Sequence, residues 1–160
     1  MMSPQTPITL FPHSNTWGTE SDHKSGSDAL FAIKYPLRIL IAEDNYICRR
    51  VLTLMLERYG YSVTSVEDGQ KCLNEAIQNR YDLIFLNIEM PSMDGIECTR
   101  CLRNAGVHSS IVAVTATHAE HARLDCLAAG MNGYIEKPVT ANELKRALRL
   151  AFLGHIFAAA

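Results

Sequence analysis

A doubly wound α/β domain around a five-stranded parallel sheet is what this sequence predicts, and three observations predict it. Short runs rich in apolar and β-branched residues recur five times between residues 37 and 137, most of them too continuous to leave one face in water. Each is followed by a stretch in which apolar residues return at three- and four-residue spacing, so strand and helix alternate throughout. The size agrees, since 160 residues with 48% apolar and 20% charged content suit one globular domain carrying an arm.

Residues 1–36 are rich in Ser, Thr, Pro and Gly without a sustained period, and read as a disordered N-terminal arm with one apolar patch, ALFAI, at 29–33. From Leu37 the texture changes. LRILIAED (37–44) is a strand ending in acids. NYICRRVLTLMLERYG (45–60) is a helix with Ile47, Val51, Leu54, Met55 and Arg58 at helical spacing, stopped by Gly60. YSVTSVED (61–68) alternates weakly and reads as a strand nearer an edge. GQKCLNEAIQNR (69–80) is a helix with Cys72, Leu73 and Ala76 on one side. YDLIFLN (81–87) is a buried strand, DGIECTRCLRN (94–104) a helix and SIVAVTA (110–116) a strand. THAEHARLDCLAAG (117–130) is a helix with Thr117 and Glu120 in a capping pattern, and NGYIEK (132–137) is the last strand. TANELKRALRLAF (140–152) opens on the same signature, Thr140 and Glu143, and should bury Leu144, Ala147, Leu148 and Ala151. The domain is thus expected over 37–152, with a short tail at 153–160 that could lengthen the last helix or touch a partner. No room for a further output domain is expected after residue 152.

Several function classes are disfavoured at once. A formal net charge of −2 leaves no basic footprint for nucleic acid or lipid. No apolar run approaches the roughly 20 residues of a membrane span, and the N-terminus lacks a secretory signal. Five scattered cysteines suit reduced thiols in a cytoplasmic or nuclear protein. Cys98 and Cys101 form a lone CxxC on a helix, and His118 and His121 a lone HxxH. Both read as helix-face spacing, because structural zinc usually takes four ligands.

In parallel sheets of this kind ligands bind beyond the carboxyl ends of the strands, where the strand order reverses. The residues at those ends are Glu43 and Asp44, then Asn87 and Glu89, then Thr115, then Lys137 followed by Pro138. Adjacent carboxylates repel unless a cation or water lies between them, and a hard cation such as Mg²⁺ takes oxygen ligands while keeping several waters. A hydroxyl and an ammonium converging there suit phosphoryl oxygens. Any one of these residues alone would be no more than a cap. Five fitting types at five consistent places carry more weight.

With IAEDN (41–45), LNIEMPSMDG (86–95), AVTA (113–116) and EKP (136–138) in order, the chain from about Leu37 to Phe152 resembles a receiver domain, the response-regulator module of two-component phosphorelays. The resemblance implies a (βα)5 flavodoxin-like fold, Mg²⁺ held by Glu43, Asp44 and the backbone carbonyl of Glu89, and phosphoryl transfer from a phosphohistidine to an aspartate ending the third strand. It implies that Thr115 and Lys137 bind phosphoryl oxygens and that Thr115 and Tyr134 form the switch. The implied partners are a histidine kinase, a histidine phosphotransfer protein or an output protein. They would dock on a face including His121, Arg123, Tyr134 and Lys145.

The departure is central, because the phosphoacceptor position holds Asn87. Its amide oxygen is neutral and cannot form the ordinary acyl phosphate, and a charge is lost from the metal nest, so Mg²⁺ should bind weakly or not at all. Lys137 would keep the Asn87 carbonyl as an acceptor. Three origins are open: a natural pseudo-receiver acting through partner binding, an inactivating substitution in an ordinary receiver, or slow deamidation before Ile88. The expectation is a signalling module, not an enzyme. A metal-dependent phosphatase on this fold needs an aspartate where Asn87 stands, and a flavin protein needs a phosphate-cradling loop that EDNYICRR does not offer.

Overall fold

The computed structural model describes residues 25–116 and 120–159, with side chains over 27–116 and 121–154. Among them five strands, Ile39–Ala42 (β1), Val63–Val66 (β2), Leu83–Leu86 (β3), Ser110–Thr115 (β4) and Gly133–Glu136 (β5), pair in parallel in the order β2-β1-β3-β4-β5. Two single helical turns, Ser25–Asp28 (α1) and Phe31–Lys34 (α2), precede the sheet. The helices Tyr46–Arg58 (α3), Gly69–Gln78 (α4), Gly95–Asn104 (α5), Glu120–Ala129 (α6) and Ala141–Ala159 (α7) follow successive strands.

The continuous apolar strands are covered on both sides, as their composition requires. Ile39, Ile41, Leu83 and Phe85 pack with Leu52 and Leu56 of α3 and Leu144 and Leu148 of α7. Leu40, Ile84 and Leu86 pack on the other side with Cys72 of α4, Cys98 and Leu102 of α5 and Cys126 of α6. Leu144, Ala147, Leu148 and Ala151 are all buried, as their spacing predicts. Three helix starts are capped by a side chain that accepts a backbone N–H: Asn45 from Cys48, Asp68 from Lys71 and Asp94 from Glu97. Thr140 and Glu143 exchange the reciprocal pair of a capping box at 3.0 and 3.3 Å. The matching pattern at Thr117 and Glu120 lies outside the described side chains, as does His118 of the HxxH pair.

Two expectations change, and one alternative left open for the tail is decided. Helix α3 buries Leu52 and Leu56 and leaves Ile47, Val51 and Leu54 exposed. The helix carries apolar residues around most of its girth, and β1 and β2 select the Leu52–Leu56 stripe. The last helix runs on through the tail to Ala159, because an isolated Gly154 costs a helix only about 1 kcal/mol.

The second change concerns the arm, whose final residues pack against the domain. The Asp28 carboxylate accepts from Lys145 Nζ at 2.6 Å and lies 3.7 Å from Arg58 Nη2. Ala32 N–H donates to the Tyr59 carbonyl at 2.9 Å, and Tyr61 Oη–H donates to the Tyr35 carbonyl at 2.7 Å. The Phe31 ring meets those of Tyr35 and Tyr59 at centroid distances of 4.8 and 5.8 Å. A short apolar patch thereby staples the end of α3 to α7. Lys145, with its ammonium also 5.3 Å from the Tyr59 ring centroid, belongs to this staple.

At the opposite end of the sheet from the strand tips, Arg103 ties α5 to the loop before β5. Its guanidinium donates to the carbonyls of Gly130, Val107 and Ser109 and to Asn132 Oδ1, all within 3.0 Å. All five cysteines are free thiols, and Cys98 Sγ–H donates to the Gly69 carbonyl at 3.4 Å.

Two predictions follow from this packing. Gly60 and Gly106 both have left-handed backbones, at φ +91° and +80°, but a Cβ on Gly60 would stand 2.7 Å from the Ala29 carbonyl whereas Gly106 faces open space. Gly106→Ala should cost about 1–2 kcal/mol of strain. Gly60→Ala should cost more in urea unfolding, the excess vanishing when residues 1–35 are removed. The second concerns pH. Hydrogen bonding to Cys98 and burial push the Cys72 thiol up, and burial pushes Cys126 up to about 11. Unfolded thiols ionise near pH 8.5, so above that the native state holds more protons and stability falls as pH rises. The Cys126 share, on the order of 2 kcal/mol, should be gone by about pH 11. Unfolding midpoints between pH 8 and 11 should flatten in Cys126→Ala.

Candidate functional site

Strand register brings the site together before side chains are considered. Ala42 of β1 is level with Leu86 of β3, so Glu43 and Asn87 are the next residues out on neighbouring strands. The Asn87 N–H donates to the Ala42 carbonyl at 2.9 Å and the Glu43 N–H to the Val66 carbonyl at 3.1 Å. The β1/β3 junction is where the strand order reverses, the place where open α/β sheets carry their ligands. On its other side β4 ends at Thr115, whose carbonyl accepts from the Lys137 N–H at 2.8 Å. The Lys137–Pro138 peptide is cis.

The side chains then converge on one atom. Asn87 Nδ2 lies 3.1 Å from Glu43 Oε1, 3.0 Å from Asp44 Oδ1 and 2.9 Å from the Glu89 carbonyl oxygen. Turning the amide over would set Oδ1 against three acceptors, so the network dictates which end points in. Asn87 and Glu43 are almost wholly buried, 6% and 3% exposed, whereas Asp44 and Glu89 stand at the mouth. Lys137 Nζ donates to Glu43 Oε2 at 2.7 Å. Its partner is therefore Glu43, where an Asn87 carbonyl was expected, because the carboxylate is the stronger acceptor within reach.

Of the predicted residues, Glu43, Asp44, Asn87, Glu89 and Lys137 meet directly. Thr115 is fully buried at the tip of β4 and joins them through the backbone bond to Lys137. Tyr134 is half-buried on β5 with the Arg123 guanidinium 5.6 Å from its ring centroid. Burial, then the nearby Glu136, pushes its phenol above the usual range.

Sequence reasoning missed two contributors. The Asn45 N–H donates to Glu43 Oε1 at 3.1 Å, and Arg49 Nη1 donates to the Glu43 carbonyl at 2.6 Å. Asn45 was read only as the first residue of the helix, and nothing in the sequence distinguishes Arg49 from the adjacent Arg50. Gly95 seals the floor, since a Cβ there would collide with the Asn87 carbonyl, and its N–H donates to the Ile88 carbonyl at 2.7 Å.

Chemically the pocket offers two carboxylates, one ammonium and an amide. The amide oxygen is too poor a nucleophile for phosphoryl transfer, and the amide N–H groups are aimed at the oxygens a cation would need. Among the described residues no group of three His, Cys, Asp or Glu side chains could hold a metal ion. As arranged, Glu43 Oε1, Asp44 Oδ1 and the Glu89 carbonyl, the oxygens the resemblance assigns to Mg²⁺, each face the Asn87 amide nitrogen.

The response regulator receiver domain family matches residues 39–149. The chain belongs to that family. Similar full-length proteins include the sensor histidine kinase RcsC of Salmonella typhi, 35% identical over 112 residues, covering 70% of this chain and 12% of the kinase. Another is histidine protein kinase 1 of Candida albicans, 37% identical over 128 residues, with 72% of this chain and 5% of that protein covered. The response regulator MprA of a Mycobacterium species is 36% identical over 114 residues, with 71% of this chain and 50% of MprA covered. The chain thus spans a small fraction of the kinases it matches. Among solved structures, the receiver domain of a Pseudomonas aeruginosa sensor histidine kinase, with magnesium coordinated in its active site cleft, superposes with a TM-score of 0.67 at 38% identity. That match covers 72% of this chain and 97% of that one. The receiver domain of the Arabidopsis thaliana histidine kinase CKI1, complexed with Mg²⁺ and BeF₃⁻, gives 0.67 at 29% identity, covering 79% and 95%.

In this receiver the Glu43–Lys137 pair is the charged joint between β1 and β5, with side chains 5% and 21% exposed. Lys137→Met leaves a buried carboxylate with only amide and backbone donors. Discounted for the partial exposure of Lys137, the loss should be about 1–3 kcal/mol in chemical denaturation.

Proposed function

We propose that this receiver module of two-component signalling takes no phosphoryl group at Asn87 and acts through partner binding. The observation that supports this reading most is the side chain at the tip of β3: an amide whose nitrogen is turned toward Glu43, Asp44 and the Glu89 carbonyl. A receiving group needs an anionic oxygen aimed out of the pocket toward the donor phosphorus, with cationic help against charge repulsion. Asn87 supplies neither. Mg²⁺ should correspondingly bind weakly or not at all. Thr115 and Lys137 keep the positions that the family resemblance gives to phosphoryl-oxygen binding, and Thr115 with Tyr134 those of the switch.

The partner is a histidine kinase, a phosphotransfer protein or an output protein, supported by the two kinds of relative, sensor kinases and a response regulator, that share this domain. The face offered is that of α6 and β5, where His121 is exposed and Arg123 lies against Tyr134. A cytoplasmic location suits such a partner, and no helix among the described residues is long and apolar enough to cross a membrane.

Incubation with a radiolabelled small-molecule phosphodonor tests the central statement. Label should appear on Asn87→Asp and be absent from the parent chain. Equal acid-labile label on both would place the acceptor elsewhere and overturn the reading.

A further inference from the structure

We propose that the Asn87 amide is a built-in substitute for the divalent cation, so that the acidic pocket is held closed by the chain itself and is indifferent to Mg²⁺. This deepens the reading of the same site, but it concerns what neutralises the pocket rather than whether phosphoryl is transferred.

Two carboxylates and a carbonyl converging at a strand junction create local negative potential that something positive must offset. Here two groups do so. Lys137 Nζ takes Glu43 Oε2 at 2.7 Å, and one amide nitrogen bridges Glu43 Oε1, Asp44 Oδ1 and the Glu89 carbonyl at 2.9–3.1 Å. The bridged oxygens come from the tip of β1 and from the loop after β3, so the amide makes the connection that a cation would otherwise make. Two N–H groups serve three acceptors, so one N–H is shared between two of them.

A cation cannot use these oxygens while the N–H groups point at them. To admit one, the amide must rotate by about half a turn, give up its contacts and present a single neutral oxygen. The rotation is opposed. Asn87 is 6% exposed, and a turned amide would set its oxygen against Glu43 Oε1, Asp44 Oδ1 and the Glu89 carbonyl in place of three favourable contacts. The amide is therefore an obstruction as well as a loss of charge, and these two effects are separable by mutation.

The experiment is thermal unfolding of the full chain and of Asn87→Asp, Asn87→Ala and Asn87→Ser, each with MgCl₂ titrated at constant ionic strength. The parent should show no shift. Asn87→Asp should begin less stable than the parent without metal, because a third carboxylate joins the pocket, and rise by about 3–6 °C once Mg²⁺ exceeds its Kd some ten-fold. Asn87→Ala and Asn87→Ser should also acquire a Mg²⁺-dependent rise, since removing the amide frees the three oxygens. Whichever of those two folds decides the matter. A flat response in it, beside a responsive Asn87→Asp, would mean that lost charge alone explains the parent and that the amide obstructs nothing. A parent that rises with Mg²⁺ as Asn87→Asp does would also overturn the inference. It would leave the phosphodonor result standing, so the two failures are distinguishable.

Discussion

The site depends on one nitrogen atom held between three oxygens. β1 and β3 are joined below their tips by backbone hydrogen bonds, but beyond Ala42 and Leu86 the ladder ends and acidic loops begin. Without a partner, Glu43 and Asp44 would push those loops apart, and the neighbouring backbone with them. The Asn87 amide converts that repulsion into a set of charge-assisted hydrogen bonds. Around it the remaining groups fall into place. Lys137 closes the other face of Glu43, Asn45 and Arg49 hold the β1–α3 loop, and Gly95 lets α5 start close beneath the strand end.

Much of this was legible in the chain because strand tips in a parallel sheet have few places to go. Once the apolar runs at 37–44, 81–87, 110–116 and 132–137 are read as neighbouring parallel strands, their last polar residues must share one rim. Glu43, Asn87, Thr115 and Lys137 do so. Capping residues such as Thr140 and Glu143 act locally and were readable for that reason. The buried side of α3 was not readable. Ile47, Val51 and Leu54 make as good a stripe as Leu52, Met55 and Leu56, and only the geometry of the sheet decides between them. The turns at 25–34 carry no period, and their order comes from tertiary partners, Tyr59, Gly60 and Lys145, distant in sequence. The direction of the Asn87 amide was equally hidden, since an amide has a donor end and an acceptor end and the sequence names neither.

The staple formed by residues 28–35 and the pocket lie at different ends of α3 and share α7. α3 begins beside Glu43, where Asn45 caps it and Arg49 reaches back, and it ends at Tyr59 and Gly60 against the arm. α7 follows Lys137 and carries Lys145 to the Asp28 carboxylate. Residues 28–35 are thus tied to helices whose first turns border the acidic rim.

A switch needs two conformations close enough in free energy for a ligand to choose between them. Hydrogen bonds to charged groups contribute about 1.5–3 kcal/mol each, and even two effective ones at Asn87 would favour the bridged arrangement by about 3 kcal/mol or more, a ratio of roughly 10². An ordinary receiver avoids this bias by leaving the role to an ion, which can exchange, and to a phosphoryl group, which can be removed. Here the bridging group is covalently part of the chain and always present at unit occupancy. The substitution of one oxygen by one nitrogen therefore does two things together. It removes the reactive atom, and it supplies, in the same place, the contact that keeps the rest of the pocket assembled without it. On the proposed reading, that pairing is what keeps Glu43, Asp44 and Lys137 assembled around an amide.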